Sequence, residues 1–412
     1  MNVGIFVTTL RPSSPSQARL QDAIFSGLRK VAAGRYRFIV FSHDPSSATV
    51  GGDFIHESVA RYGKCEELAR RWRARLARAL LQAWQFLGAS GGRTWQRLSR
   101  LSKFEPRHFQ QMRDLNIRLL WNMNQHELKV PVPFIRTIWE ANHRIHSMFP
   151  EYSYARYGYE GLESGLADSL ARASYVITGT SEGKRQVVEM IGVHAGKVRV
   201  IPFPAPILAD GSPGPLSMAP GRYILYPARF WPHKNHVVIL EALKILKQEQ
   251  EIELHCIFTG ADHGNLTYVM SYAERLGVRD SIEYRGEVSE GELAELYSGA
   301  LALVYASAVG PDNLPPLEAM ALGRPVIAAD VPGAREQYDD AALYFPPTDE
   351  RVLADCLVAL IRNDTLHGPQ ILRGKARIAA LTPDGYAAGI LRILDEFSAV
   401  ARAWERCDSK FS

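Results

Sequence analysis

The chain has 412 residues, of which 46% are hydrophobic and 22% are charged. This length exceeds one ordinary domain of about 100–200 residues, and the composition is typical of a folded, water-soluble protein. A single small binding module and a disordered chain are therefore disfavoured. Lys and Arg number 48 against 44 Asp and Glu, a net charge of +4, so the chain as a whole does not have the charge of a nucleic-acid binder.

Cysteine spacing and apolar runs indicate the cellular compartment. The four cysteines lie far apart without a C-x-x-C pair, which favours reduced thiols over a zinc or redox site; they are Cys65, Cys256, Cys356 and Cys407. The first residues read MNVGIFVTTLRP, a pattern that predicts a buried strand rather than a signal peptide. No apolar run reaches the roughly 18 residues that a membrane span needs. We expect a cytoplasmic protein without a transmembrane segment.

Short apolar runs rich in β-branched residues alternate with helical patterns along the chain. In the first half, the predicted strands are Val3–Val7, Tyr36–Phe41, Ile117–Asn122, Phe134–Trp139, Tyr175–Thr178 and Val198–Pro202. In the second half, they are Tyr223–Pro227, Ile252–Thr259, Ser281–Arg285, Ala302–Tyr305 and Pro325–Ala328, joined by helices such as His236–Lys247 and Glu292–Ser298. This alternation predicts an α/β fold of parallel βαβ units with helices on both sheet faces.

One segment rich in Pro, Gly and Ser, residues 205–221, interrupts the alternation and predicts a linker. The expected organisation is an N-terminal Rossmann-like domain over residues 1–204 and a C-terminal Rossmann-like domain over residues 222–385. Residues 386–412 are expected to form a C-terminal helix that can pack back on the N-terminal domain. Ligands of doubly wound sheets bind at the carboxyl ends of the strands, hence in a cleft between two facing domains.

Two cations follow the strand Tyr223–Pro227 in the sequence YPARFWPHKNH. Arg229 and Lys234 lie five residues apart, just before a helix that is predicted to open near Asn235. Fixed positive charges beside the free N–H groups of a helix start suit a diphosphate. A solvated basic loop is the alternative, because exposed Lys and Arg are common on protein surfaces.

A second loop-to-helix segment carries a carboxylate in its first helical turn. Its sequence is SAVGPDNLPPLEAMALGRPVI, and the carboxylate is Glu318. Prolines at the start of the helix and a glycine just past its end set its limits. Glu318 can favour the helix dipole, a stabilisation of roughly 0.3–1 kcal/mol. Alternatively, it accepts hydrogen bonds from the two hydroxyls of a ribose.

Taken together, these segments resemble the retaining family-4 glycosyltransferases, which have the GT-B fold. The resemblance runs from about Pro131 to Thr348 and is strongest in YPARFWPHKNH, GEVSEGELAELY and NLPPLEAMALGRPVIAADVPGAREQ. It implies that Arg229 and Lys234 bind the diphosphate of a UDP- or GDP-sugar and that Glu318 holds the ribose. It also implies a donor-binding set that includes Gly310, Asp312, Asn313, Leu314 and Val288. The leaving diphosphate is then stabilised by these cations and by helix N–H groups, so we expect no metal and no other cofactor.

One position departs from the family pattern. The family usually has two glutamates with seven residues between them, and the first would fall where this chain has Gly310. In typical members that glutamate contacts the transferred sugar. Asp312 or Asn313 can take over part of this contact, although both residue types are also favoured in turns for conformational reasons.

A polar cluster follows the predicted strand Phe134–Trp139 and resembles the acceptor-side loop of the family. Aligned on a shared His-Arg and Phe-Pro, Trp139 replaces a histidine and Glu140 an aspartate, while His143 and Arg144 are retained. The resemblance implies that Glu140 orients or deprotonates the acceptor hydroxyl and that His143 binds sugar or phosphate. Without it, a structural role is favoured for both.

Two weaker matches lie elsewhere in the first half of the chain. Ser181 can reach the donor or cap the following helix, and capping is favoured. The loop of residues 8–17 has Ser13, Ser14 and Ser16 where the family usually has a glycine pair near the donor phosphate.

Residues 61–103 contain eleven Lys and Arg but only two Glu, a net charge of +9, which leaves the remainder of the chain near −5. Apolar residues recur there every three or four positions, and arginines occupy the opposite side of the helical wheel. Such a segment suits the surface of an anionic membrane. A helix packed on its own domain with a solvated basic face is the alternative.

The resemblance, together with these observations, implies a retaining, metal-independent hexosyltransferase. We expect it to move a hexose, with mannose as the first candidate, from a nucleotide diphosphate sugar to a hydroxyl of a cell-surface polysaccharide or lipid-linked glycan precursor. The alternatives are a catalytically idle protein of this fold and a nucleotide-sugar epimerase or phosphorylase. We expect no nucleic-acid partner. We do expect peripheral attachment to the cytoplasmic membrane.

Overall fold

A computed structural model gives the fold of this chain. It describes residues 1–7, 15–32, 34–42, 54–58, 76, 79, 107–123, 130–153, 158–163, 166–205, 223–310 and 312–404. Two compact units are present. The smaller one comprises Met1–Leu10, Arg35–Asn124 and Leu128–Ile135, and the larger one comprises Arg11–Gly34, Gln125–Glu127 and Arg136–Ser412. The predicted linker (residues 205–221) lies outside the described residues apart from Ala205, as does the basic segment 61–103 apart from Leu76 and Ala79.

The strands form two sheets. The first has seven strands in the order β3-β2-β1-β4-β5-β6-β7, and the second has six in the order β10-β9-β8-β11-β12-β13. The first seven strands are β1 Asn2–Phe6, β2 Arg37–Ser42, β3 Ile55–Ser58, β4 Ile117–Asn122, β5 Phe134–Thr137, β6 Tyr175–Thr178 and β7 Val198–Val200. The others are β8 Tyr223–Pro227, β9 His255–Thr259, β10 Ile282–Tyr284, β11 Ala302–Tyr305, β12 Val326–Ala329 and β13 Leu343–Phe345.

Neighbouring strands pair in parallel. In the smaller unit, Val3 of β1 lies opposite Phe38 of β2, and in the larger unit Ile224 of β8 lies opposite Cys256 of β9. The predicted α/β fold with parallel βαβ units is therefore confirmed. The sequence patterns missed β3 and β13, which are short strands at the edges of their sheets.

Helices connect most of the strands. They are α1 Pro15–Val31, α2 Arg107–Asp114, α3 Asn142–Ile145, α4 Pro150–Ser153, α5 Gly158–Glu163, α6 Leu166–Arg172, α7 Ser181–Ile191 and α8 His236–Glu249. The remainder are α9 Leu266–Leu276, α10 Glu290–Gly299, α11 Pro315–Ala321, α12 Ala334–Tyr338, α13 Glu350–Arg362, α14 His367–Ala380 and α15 Pro383–Ala401. None of the helices in the described ranges is long and apolar enough to cross a membrane.

The limits of several elements follow from local hydrogen bonds. Strand β9 begins at His255 rather than at the predicted Ile252, because the Ile252 N–H bonds to the Leu246 carbonyl, 2.9 Å away, at the end of α8. Thr180 caps α7 by accepting from the Gly183 N–H at 3.1 Å. Ser181 is the first residue of that helix, so its predicted capping role is wrong.

The interior of the larger unit is almost wholly apolar around β8, β9, β11 and β12, whose residues are buried on both faces. Such continuous burial is typical of parallel sheets covered by helices on each side. Helix α15 packs against α1, and Gly27 lies at their contact, where a β-carbon would approach the Pro383 carbonyl oxygen to 2.2 Å. The final helix begins at Pro383, three residues before the predicted 386, because Thr382 caps it.

Candidate active site

The two predicted diphosphate-binding cations lie on the turn between β8 and α8. Residues 232–234 form a single 3-10 turn that starts at a proline, and Asn235 ends it in the left-handed conformation (φ 53°), which asparagine tolerates better than most residues. Arg229 is exposed, and its guanidinium has no hydrogen-bond or ion-pair partner among the residues that the structure describes. It is therefore available to an anionic ligand.

The ammonium group of Lys234 is surrounded by neutral hydroxyls. Its Nζ lies 3.2 Å from the Tyr305 hydroxyl, 3.3 Å from Ser307 Oγ and 5.6 Å from the centre of the Tyr305 ring. No carboxylate forms a salt bridge with it within the described ranges. The positive charge of Lys234 is thus placed at the carboxyl end of β11 without being neutralised.

The loop after β11 shows why position 310 carries glycine. The backbone of Gly310 has φ 117°, and a β-carbon there would lie 2.8 Å from Asn313 Oδ1. Asn313 donates from Nδ2 to the Gly310 carbonyl at 2.8 Å and accepts from the Tyr305 hydroxyl at 2.9 Å. The Asn313 side chain therefore fills the space that a side chain at position 310 would enter.

Asp312, from the same loop, is packed against Gly179 and Thr180 at the end of β6. Burial, helped by the neighbouring charges of Glu336 and Glu140 and opposed by bonds from Gly179 and Thr180, raises the pKa of Asp312 to about 8. The carboxyl group is accordingly protonated in most molecules at neutral pH. Glu336 in turn accepts from the Ser181 N–H at 2.6 Å, at the start of α7.

Glu318 is the most deeply buried of the predicted donor-binding residues, with 1% of its surface exposed. Its Oε2 accepts from the Tyr297 hydroxyl at 2.9 Å, and its Oε1 accepts from Arg19 Nη2 at 2.5 Å. Arg19 also contacts Glu290 at 3.1 Å. The sequence patterns did not reveal Arg19 or Tyr297. Their separations from Glu318, 299 and 21 positions, are too long for a local pattern to connect them.

The two remaining donor-side predictions fall at helix starts. Leu314 is half-buried and immediately precedes α11. Val288 is partly buried, packs against the apolar core and precedes Ser289, the N-cap residue of α10. Ser289 accepts from the Glu292 N–H, and the Glu292 carboxylate accepts from Ser289, which is a capping box. At the start of α11, Pro315 and Pro316 have no backbone N–H, and the N–H groups of Leu317 and Glu318 donate to the Leu314 carbonyl at 2.9 and 3.1 Å.

Glu140 follows β5 on the acceptor side of the predicted site. Its carboxylate accepts a hydrogen bond from Asn142 Nδ2. The side chain reaches solvent but has protein on most sides, and this desolvation raises the pKa of Glu140, opposed by the positive charge of Lys234. The predicted acceptor carboxylate and a predicted diphosphate cation are therefore near enough for their charges to interact.

His143 and Arg144 lie in α3 and share a carboxylate that the sequence did not reveal. His143 Nε2 lies 3.1 Å from Glu163 Oε2, and Arg144 Nε donates to the same oxygen at 2.7 Å. Hydrogen bonding from Arg144 lowers the pKa of Glu163 below its usual range. These contacts hold the side chains of His143 and Arg144 against Glu163, the last residue of α5.

Trp139, which stands in the place of the usual histidine of the acceptor-side loop, stacks on Phe203 with ring centres 4.2 Å apart. Its indole is thereby committed to packing. The first loop (residues 8–14) with Ser13 and Ser14, and the side chain of Ser16, lie outside the described part of the chain.

With the geometry established, comparison with known sequences places one segment in a family. Residues 217–376 match the family "Glycosyl transferases group 1". This segment contains the Arg229–Lys234 turn, the loop after β11 and Glu318. The family match therefore lies in the C-terminal part of the chain.

Two of the curated relatives are O-antigen chain mannosyltransferases. The chain is 31% identical over 189 residues to the O-antigen chain mannosyltransferase RfbU of Salmonella typhimurium, a match that covers 45% of this chain and 50% of the relative. It is 26% identical over 227 residues to the O-antigen chain mannosyltransferase B of Escherichia coli, covering 52% of this chain and 59% of the relative. The chain therefore spans about half the length of the curated relatives it matches.

Solved structures share the fold over nearly the whole chain. A sucrose-phosphate synthase from Thermosynechococcus elongatus has a TM-score of 0.64 at 16% identity and covers 97% of this chain and all (100%) of its own. Anabaena Alr3699/HepE, solved in complex with UDP and glucose, has a TM-score of 0.63 at 14% identity, with 96% and 100% coverage. The predicted GT-B fold is confirmed by this likeness.

Proposed function

We propose that this protein is a retaining glycosyltransferase. It moves a hexose from a UDP- or GDP-sugar to a hydroxyl of a cell-surface polysaccharide or lipid-linked glycan precursor. The observation that carries the proposal is the placement of Lys234, an ammonium group without a neutralising carboxylate among the described residues, within the electrostatic reach of Glu140. The names of two curated relatives, both O-antigen chain mannosyltransferases, support mannose as the hexose.

In the proposed reaction, the bond between the sugar C1 and the β-phosphate oxygen breaks, and its electron pair stays on the phosphate. Arg229 and Lys234 stabilise the negative charge that develops there, so the reaction needs no metal or other cofactor. The acceptor oxygen forms its new bond to C1 on the same face of the sugar, which retains the configuration. The hydroxyl proton passes to Glu140, whose raised pKa makes it a better base than an ordinary glutamate.

The first experiment identifies the donor. A thermal-shift panel of UDP-, GDP- and ADP-sugars should single out one nucleotide, because a ligand at 100 times its dissociation constant stabilises the folded state by about 2.7 kcal/mol. The selected donor is then incubated with lipid-linked acceptors, and the anomeric configuration of the product is read by NMR. An inverted product would contradict the retaining mechanism.

The second experiment tests the cations. Lys234→Ala and Arg229→Ala should each lower turnover by about 10²–10³-fold, the loss typical of removing one preorganised charge contact to a transition state. Arg351→Ala is the matched control, because Arg351 pairs with Glu249 on the surface of α13. Parental turnover in both active-site variants would refute the diphosphate assignment.

A catalytically idle protein that binds nucleotide sugar is the second candidate. Gly310 in place of the family glutamate and the packed position of Trp139 favour it. It predicts donor binding with neither transfer nor hydrolysis. Transfer activity that depends on Glu140, measured as a loss in Glu140→Gln, would exclude it.

We further propose that the enzyme works at the inner face of the cytoplasmic membrane, held by the basic segment 61–103. The support is the net charge of +9 in that segment. Flotation with anionic liposomes tests it, with Arg70, Arg71, Arg75 and Arg78 changed to Glu in the variant. Binding that is unchanged in the variant, or absent in the parent, would contradict the membrane role.

A further inference from the structure

The short helix α4 contacts His233, the residue that precedes Lys234. Glu151, whose side chain is 5% exposed, accepts the His233 backbone N–H at 3.0 Å, and the same oxygen accepts from the His233 ring nitrogen Nδ1. The Tyr152 ring stacks on the imidazole with centres 5.5 Å apart, and the Phe149 ring meets it edge-on at 6.1 Å. His233 is therefore held by three side chains that come from one stretch of four residues.

The protonation state of the pair fits this arrangement. Burial lowers the pKa of His233 to about 4, so the ring is neutral at physiological pH and its Nδ1–H can donate to the carboxylate. Burial raises the pKa of Glu151, but hydrogen bonds from His233 outweigh it, and the net shift is downward. Glu151 is thus an acceptor at neutral pH.

His233 is the middle residue of the turn that presents Lys234. On its other side, the His233 carbonyl accepts the Ala308 N–H at 2.9 Å, and the Lys234 N–H bonds to the Trp231 carbonyl at 3.0 Å. Among the described residues, the hydrogen-bond partners of the ammonium group are two hydroxyls at 3.2 and 3.3 Å, both long distances. The position of the charge therefore depends on the backbone of the turn more than on its own hydrogen bonds.

We propose that Glu151 is a positioning residue for Lys234: its carboxylate fixes the backbone and ring of His233, and thereby directs the ammonium group to the diphosphate of the donor. This inference rests on the proposed function, in which Lys234 binds that diphosphate. It adds a residue from α4, 82 positions away from His233 in sequence, to the machinery of the site.

The experiment compares two variants of Glu151. Glu151→Gln keeps an acceptor oxygen for both hydrogen bonds, whereas Glu151→Leu has similar bulk and no acceptor. Binding of inorganic pyrophosphate is measured by calorimetry, and turnover is measured with the donor found above. We expect Glu151→Leu to weaken pyrophosphate binding and to lower kcat by about tenfold or more, while Glu151→Gln stays within threefold of the parent.

A double-mutant cycle separates positioning from a general structural effect. If Glu151 acts through Lys234, then Glu151→Leu should cause no further loss when it is added to Lys234→Ala. Glu189→Leu on α7 is the control, because Glu189 is half-exposed and pairs only with the neighbouring Arg185 in the described part of the chain. Circular dichroism and thermal melting verify that each variant is folded.

The possible results have distinct meanings. Equal fractional losses from Glu151→Leu in the parent and in Lys234→Ala would overturn the positioning role, as would undiminished pyrophosphate binding and turnover in Glu151→Leu. Loss in Glu151→Gln as large as in Glu151→Leu would also overturn it. A parent protein that binds no pyrophosphate would contradict the diphosphate assignment itself, and with it the inference. A parent that binds pyrophosphate without turnover still tests Glu151, through the binding cycle alone.

Discussion

Replacing Gly310 tests whether this loop can accept the glutamate that the resemblance to family-4 glycosyltransferases would place at that position. A non-glycine residue at φ 117° adopts a sparsely populated conformation, which costs roughly 1–3 kcal/mol. Its β-carbon would also lie 2.8 Å from Asn313 Oδ1, so the asparagine has to move. That movement endangers two hydrogen bonds, one to the Gly310 carbonyl and one from Tyr305, each worth about 0.5–1.5 kcal/mol.

The expected destabilisation of Gly310→Ala is therefore about 2–6 kcal/mol, and that of Gly310→Glu is at least as large. Two matched glycines separate the contributions. Gly264 has φ 98° with nothing near its β-carbon position, so Gly264→Ala should lose only the conformational part. Gly291 has neither a positive φ nor a close neighbour, so Gly291→Ala should be neutral or slightly stabilising.

Urea unfolding followed by tryptophan fluorescence gives the free energies of the three variants. In the Asn313→Ala background, where the steric conflict is absent, adding Gly310→Ala should cost only the conformational part, a further loss close to that of Gly264→Ala. Turnover of Gly310→Ala should also fall, since Asn313 is linked through Tyr305 to Lys234. A Gly310→Ala protein as stable as Gly291→Ala would refute this explanation of the glycine.

Three further predictions concern stability. Gly27→Ala should destabilise the protein by about 1–3 kcal/mol, because its methyl group would approach the Pro383 carbonyl oxygen to 2.2 Å and push α15 away from α1; a melting temperature equal to that of the parent would contradict the packing. The pKa of Asp312, raised to about 8 by burial, lies above the value of 3.8 expected in the unfolded chain, so stability should fall as the pH rises from about 4 to 8. Asp312→Asn should remove that part of the slope, as followed by urea titrations between pH 6.5 and 8; an unchanged slope would show that Asp312 ionises normally. Burial lowers the pKa of His236 to about 3 against 6.5 in the unfolded chain, so the unfolded state takes up the proton first and stability is lost below pH 6.5. At pH 5 the loss of folding stability relative to pH 7 should reach about 2 kcal/mol. His236→Phe preserves the stacking on Phe230 and should abolish this contribution. The same acid sensitivity in the variant would contradict the assignment to His236.

The fold was predictable because its signal is local. Apolar runs such as Tyr223–Pro227 are buried on both faces of a parallel sheet, so every residue in them is apolar and the run can be read directly from the sequence. Helix α8 starts at His236, as the pattern predicted, because Asn235, in the left-handed conformation, separates the helix from the preceding turn. Strand β13 was missed because it has only three residues, Leu343–Phe345, too few to form a recognisable pattern.

Only part of the site was open to the same reasoning. The sequence singled out Arg229, Lys234 and Glu318, because each lies in a short motif at a strand end or helix start. It did not reveal Arg19 or Glu151, whose partners are hundreds or tens of residues away. Long-range pairs of this kind depend on how helices dock, and no spacing rule encodes them.

The sequence by itself determined the α/β class, the strand order along the chain and the group of motifs that carry positive charge and a carboxylate to the ends of β8 and β11. The tertiary structure decided which atoms those groups contact. Asn313 occupies the space next to Gly310, and Arg19 and Tyr297 donate to the two oxygens of Glu318. Glu151 accepts from the His233 N–H. The physical reason is the range of the interactions. Burial patterns and caps act within a few residues, whereas hydrogen bonds between side chains need a direction and a distance that only the packed chain provides.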